Sequence, residues 1–378
     1  MPALSLAPAF SFFNSFSRIS PTQPIRTLIR TTGYKLRPPR PLPFTPTFRK
    51  RQEEVLVRGD AGVHQAANIL HEQRKGPVPT IVLGGFIPDA TEQVFLMRGF
   101  LLKHGSIYYL NYPLHGFSID LLFAQLDDLI EELAELHGQR PVIFAVSFGC
   151  GLVMEWLKRA RRAGRRFDLR GLILISPVAC VEDLLAPGEA KPTTLLGRAI
   201  KPYVDPHKLP DHATVDKSRA IFTKMFESGA QNKESLRVLM TREELHQLRA
   251  AVMATIRMIE PAGACERVQA LKVLESPSSY FSQTLLPLSE APTLILYAEK
   301  ESSVIADHSP TRFVLESAHH AYFPKSQHKI ITNYRGSPVQ HASLIFHCFN
   351  FLPSISAFYR SLKNNKNLPT FHTRRPAA

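Results

Sequence analysis

A serine hydroxyl becomes a useful nucleophile only when a base lies within hydrogen-bond reach and a third group orients that base. Ser147 is the place in this chain where such chemistry would start. It stands between a strand-like apolar run, Pro141-Val-Ile-Phe-Ala-Val146, and a helix-like run that begins at Phe148 and continues to Leu157. A strand that turns sharply into a helix pushes the turn residue out above the sheet edge, and small residues two before and two after it keep strand and helix from colliding. Those neighbours are Ala145 and Gly149, so the pattern is A-x-S-x-G, one methyl group from G-x-S-x-G.

The base and the acid have to come from later strand ends. Among fifteen histidines, His341 is the best placed, in Pro338-Val-Gln-His-Ala-Ser-Leu-Ile345, beyond the last strand-like run and at the start of the final helix. His347 is expected deeper in that helix, pointing elsewhere. The run Tyr297-Ala-Glu-Lys-Glu-Ser-Ser-Val-Ile305 offers Glu299 and Glu301, and Glu301 is chosen as the orienting carboxylate, with Asp307 as runner-up. A metal enzyme is disfavoured, because no H-E-x-x-H cluster occurs and the adjacent His319 and His320 are expected to diverge on a helix or a strand. No metal and no cofactor is expected.

These residues need a scaffold, and the chain supplies one in alternating runs. Thr80-Ile-Val-Leu83 and Ser106-Ile-Tyr-Tyr-Leu110 read as buried strands, with a helix expected over 92–104 between them. Leu122, Leu126, Leu129, Leu133 and Leu136 recur at steps of three and four, which predicts one apolar helix stripe closed by Gly138. Strands follow at 141–146 and 169–175, and resume at 292–297 and 329–333. Strands alternating with helices predict a mostly parallel sheet flanked by helices on both faces. The rhythm breaks between Ser176 and Glu290, where Pro187, Pro192, Pro202, Pro206 and Pro210 mark an irregular start and 236–259 reads as helical. An insertion between two strands of one sheet most simply covers the strand ends, where such sheets bind ligands.

At this point the chain resembles the α/β-hydrolase superfamily, in particular its serine esterases and lipases with a lid, over residues 79–177 and 291–350. The order Ser147, Glu301, His341 is the nucleophile, acid, base order expected on that fold. The resemblance implies that the backbone amides of Phe86 and Phe148 hold the developing oxyanion, with Gly84-Gly85-Phe86 in the position of the family's His-Gly-x motif. Asn111-Tyr-Pro-Leu-His-Gly-Phe-Ser118 is similar to its D-x-R-G-H-G-x-S loop but lacks the Asp and Arg. The implied reaction is hydrolysis of a small-molecule carboxylic ester, with a lipid-like acyl group a possibility. An acyltransferase or a peptidase would use the same triad, and a catalytically silent binding protein is the alternative from another class. Leu196, Ile200, Ile221, Phe222, Met225, Phe226, Met253, Ile256 and Met258 either line an acyl pocket or form the lid's own core.

Composition narrows the partners. The net charge is +14, yet residues 1–51 hold nine basic residues and no acid, leaving +5 on the other 327 residues. Nucleic-acid binding is not expected, because the body shows no array of basic residues interleaved with stacking aromatics. The run Lys158 to Arg166 reads as positive charge at the end of the helix after Ser147. The domains are expected as a disordered basic leader or transit segment (1–51), a hydrolase core (52–176 and 291–363), a helical lid (177–290) and a flexible tail (364–378). Cys150, Cys180, Cys265 and Cys348 form no C-x-x-C pair and read as reduced residues of an intracellular, cytoplasmic protein, with organelle targeting by the leader left open. No transmembrane segment is expected, while peripheral membrane contact stays open.

Overall fold

Short runs of Ile, Leu, Val, Phe and Tyr with no polar interruption can be buried on both faces, and in this chain they become the middle of one sheet. The computed structural model describes residues 41–58, 64–186, 188, 191–205, 207, 209–230, 242–281, 285–334 and 336–364. Eight strands run in sequence as β1 (Leu42–Pro43), β2 (Asn68–Glu72), β3 (Thr80–Leu83), β4 (Ile107–Asn111), β5 (Val142–Val146), β6 (Gly171–Ile175), β7 (Thr293–Ala298) and β8 (Ser326–Ile331). Their spatial order is β1-β2-β4-β3-β5-β6-β7-β8, parallel from β4 to β8, with β2 antiparallel to β4 and β1 antiparallel to β2. Every residue of β3, β5, β6 and β7 is buried.

Alternation along these strands builds two cores. Ile81, Leu83, Ile143 and Ala145 face one apolar layer, and Val82, Val142, Phe144 and Val146 face the other. The covering helices are α1 (Lys50–Arg58), α2 (Ile119–His137), α3 (Phe148–Arg162), α4 (Leu195–Ile200), α5 (His212–Ala230), α6 (Arg242–Arg257), α7 (Pro261–Val273), α8 (Pro310–Tyr322) and α9 (Cys348–Asn364). Helix α2 begins where the Ser118 hydroxyl accepts the Leu121 N–H, and it ends at Gly138 in the left-handed region (φ 59°). That is the leucine-striped helix and the glycine stop expected from the sequence. Helices α4 to α7 all come from the insertion between β6 and β7.

Several expectations need correction. Residues 41–51 are not disordered: Leu42 and Pro43 pair with β2, the Phe48 and Gln52 amides donate to Glu132 and Asp128, and Arg51 pairs with Asp128 and Glu131. Acids of α2 hold this basic segment across separations of 76 to 84 residues, which no local pattern reveals. Residues 1–40 and 365–378, Pro187 and Pro206 lie outside the described residues. The helix expected over 92–104 is broken into Ala90–Gln93, a tighter turn at Phe95–Met97, and Arg98–Leu101. The last strand begins three residues earlier and ends two residues earlier than expected, at Ser326–Ile331. Helix α6 covers Arg242–Arg257 of the helix expected over 236–259, of which 236–241 lie outside the described residues. Helix α9 starts at Cys348, so His341 and His347 both precede it.

Candidate active site

Ser147 sits at φ 52°, a left-handed conformation that a non-glycine residue adopts only when its surroundings impose it. The surroundings are visible. Its N–H donates to the Ile175 carbonyl of β6, and its own carbonyl accepts from Cys150 and Val178, so the peptide units on both sides are fixed. A Cβ at position 149 would lie 2.5 Å from the Gly84 carbonyl oxygen and 2.8 Å from that of Leu83, so only glycine lets α3 start this close to the end of β3. Ala145 is fully buried and fits on its side of the turn.

The turn points the serine at the expected partners. His341 Nε2 lies 2.9 Å from Ser147 Oγ, and His341 Nδ1 is hydrogen-bonded to Glu301 Oε2. A carboxylate has no proton to give, so Nδ1 carries the imidazole proton and Nε2 faces the serine as an acceptor. Glu301 is 1% exposed. Its other oxygen, Oε1, accepts the Ala298 N–H at 2.6 Å and the Ser176 hydroxyl at 2.7 Å. Burial of a carboxylate is tolerable because both oxygens are occupied by donors.

The competing acids are placed differently. Glu299 Oε1 accepts the Asn333 and Val339 N–H groups, tying the end of β7 to the chain before His341. Asp307 is exposed. His347 is buried and its Nδ1 meets Ser343 Oγ at 2.9 Å. The His319 and His320 rings do not diverge: their centroids are 4.0 Å apart, because α8 leaves helical geometry at Ala318. Among the described residues no group of His, Cys, Asp and Glu is arranged to hold a metal.

Phe86 and Phe148 come together as stacked rings, centroids 4.4 Å apart and 12° from parallel. The Phe148 N–H is the first of α3, where no helical carbonyl is available and the helix end is positive. The loop carrying Phe86 presses on the serine, since a Cβ on Gly85 would lie 3.2 Å from Ser147 Cβ. Three side chains hold that loop: Tyr112 donates to the Gly84 carbonyl, Gln93 Oε1 accepts the Gly85 N–H, and Arg267 of α7 donates to the Phe86 carbonyl.

Ser176, Gln93, Tyr112 and Arg267 are site residues that were not expected from the sequence. Ser176 carried a signal, being the polar residue directly after β6, the neighbour of both the serine strand and the acid strand. Its φ is 46°, and its Oγ also accepts the Ala342 N–H at 3.1 Å, so one hydroxyl links the acid to the residue after His341. Arg267 had no local signal, because its partners are 154 to 181 residues away. It is almost fully buried, and burial lowers its pKa while nearby Asp89 opposes that shift.

A cavity of about 230 Å³ opens beside Ser147 and His341. Its apolar wall includes Leu196, Phe222, Met225, Phe226, Ile256 and Phe346, so five of the insertion's candidate residues do line it. Ile200 lines a smaller adjoining space of about 40 Å³, with Phe86, Ile87 and Phe222 bordering both. Met258 is half exposed and lines neither.

No protein-family model matches the sequence, and no curated protein matches it. Solved structures match in shape. An esterase from Exiguobacterium antarcticum superposes with a TM-score of 0.51 at 15% identity, covering 79% of this chain and 98% of its own. A thermophilic esterase from Thermogutta terrifontis gives 0.50 at 17% identity, covering 78% of this chain and 94% of its own. A membrane phospholipase A, described as a bacterial virulence factor, gives 0.52 at 13% identity and covers 95% of this chain and 94% of its own. The chain therefore has the α/β-hydrolase fold. Among the described residues no helix is long and apolar enough to cross a membrane.

Proposed function

We propose that the protein is a serine hydrolase that cleaves carboxylic esters with an apolar acyl group through an acyl-enzyme intermediate. The observation that carries the reading is the continuous hydrogen-bonded line Ser147 Oγ, His341 Nε2, His341 Nδ1, Glu301 Oε2. His341 takes the proton as Ser147 Oγ attacks the acyl carbon, and Glu301 stabilises the imidazolium that forms. The amides of Phe86 and Phe148 receive the oxyanion. The alcohol leaves with the proton from Nε2, and water, deprotonated by the same nitrogen, releases the acid.

The described part of the insertion 177–290 acts as the lid, and the cavity wall of Phe222, Met225, Phe226 and Ile256 takes the acyl chain. Two esterases and a phospholipase A share this fold, which agrees with ester chemistry. All four cysteines are free thiols, which supports an intracellular compartment. The test is hydrolysis of p-nitrophenyl esters of graded acyl length. Ser147→Ala is expected to lower kcat by about 10⁴-fold or more. Turnover equal to that of the unaltered protein would remove Ser147 from the mechanism.

A further inference from the structure

Six basic residues lie between Lys158 and Arg166, and the fold neutralises four of them. Lys158 pairs with Glu155 and Glu275, Arg159 with Asp120 and Glu155, Arg162 with Glu275, and Arg165 with Asp127. Arg161 and Arg166 make no ion pair among the described residues, and the buried Arg161 Nε has no hydrogen-bond partner. Both line one cavity of about 530 Å³, formed where the end of α3 meets the chain leading into β6 and β7. Lys325, also without an ion pair, lines it from the β8 side.

Charge and shape together define an occupant. Asp168 of the lining is taken by Arg140 at 2.7 Å, and Glu290 is the acid left over, so the unpaired side chains carry a surplus of two positive charges. A phosphate monoester carries about −1.5 to −2 near neutral pH and accepts from guanidinium groups in pairs. The rest of the wall is apolar, with Leu157, Phe167, Leu288 and Pro292. The volume lies within the range of about 300–1,000 Å³ usual for small-molecule sites. Fourteen residues of helix separate Arg161 from Ser147, about 21 Å at 1.5 Å per residue, so this cavity is not part of the serine site.

We infer that this cavity binds a soluble organic phosphate, its phosphate held by Arg161, Arg166 and Lys325 and its apolar body held against Phe167 and Leu288. The inference does not depend on the proposed hydrolase activity. Titration calorimetry of the full chain with phenyl phosphate and with inorganic phosphate tests it. Phenyl phosphate should bind saturably, several-fold tighter than inorganic phosphate, and more weakly as salt is raised. The double variant Arg161→Ala/Arg166→Ala should lose about tenfold or more, consistent with removing charge-assisted hydrogen bonds. Lys325→Glu, an exposed change that leaves the helix intact, should weaken binding comparably, and Ser147→Ala should leave it unchanged. Unfolding temperature identifies any variant that has lost its fold. Absence of saturable binding, equal affinity for the two phosphates, or full affinity in either folded variant overturns the assignment. Binding only to phosphatidic acid vesicles, with none to phenyl phosphate, also overturns it.

Discussion

Ser176→Ala gives the sharpest test of how the acid is held, because one hydroxyl serves two partners. It donates to Glu301 Oε1 at 2.7 Å and accepts the Ala342 N–H at 3.1 Å. Removing it leaves Oε1 of the buried carboxylate with the Ala298 N–H as its remaining donor and leaves the Ala342 amide without its acceptor. A hydrogen bond to a charged group contributes about 1.5–3 kcal/mol. If that loss falls on the transition state, where the imidazolium depends on Glu301, kcat should drop by roughly 10- to 100-fold at 1.36 kcal/mol per tenfold. KM should stay nearly constant, because Ser176 does not line the substrate cavity. Ser176→Gly removes the same hydroxyl while accepting the φ of 46° without strain, so it should share the kcat loss and lose less stability. The assay is steady-state ester hydrolysis alongside thermal unfolding of both variants. A lowered unfolding temperature with kcat unchanged within about twofold would make Ser176 a packing residue with no hold on the acid.

Other consequences follow from single contacts. Gly149→Ala would drive a Cβ to 2.5 Å from the Gly84 oxygen, and the overpacking should cost about 1–3 kcal/mol in urea unfolding and abolish most turnover. Phe222 borders both the 230 Å³ and the 40 Å³ spaces, so Phe222→Ala should join them and move the kcat/KM optimum toward longer acyl chains in the graded ester series. Glu92 is raised to about 7, first by burial and then by neighbouring Asp89. A carboxyl raised in the folded state contributes stability that is present below the unfolded value near 4.5 and is lost as pH rises through 7. Glu92→Gln should therefore flatten the fall in stability between pH 5 and 8 by roughly 1–3 kcal/mol, as measured by urea unfolding across that range.

What the sequence revealed depended on whether a signal was local. Strands β3, β5, β6 and β7 are buried on both faces, so each is a plain apolar run bounded by turn residues. Ser147 lies directly after β5 and Glu301 three residues beyond β7, with Glu299 and Asp307 close by, so strand order narrowed the acid to a few candidates; His341 follows β8, whose middle residues are exposed or half-buried. Strand β2 reads Asn-Ile-Leu-His-Glu and carries polar residues at both ends, which hid it. Its Glu72 is buried against Arg98 and Tyr109, a pairing that only the folded chain creates. The supports of the Gly84–Phe86 loop were hidden for the same reason. Gln93, Tyr112 and Arg267 come from three separate elements, and their roles follow from where those elements meet.

Whether Ser147 is an activated nucleophile is tested most directly by a fluorophosphonate, which phosphonylates a serine hydroxyl only when a base assists it. The expected result is one adduct on the folded protein, located on Ser147 by peptide mass spectrometry, absent in Ser147→Ala and strongly slowed in His341→Ala. Folded protein that forms no adduct, or an adduct on another residue with Ser147 unmodified, would contradict it.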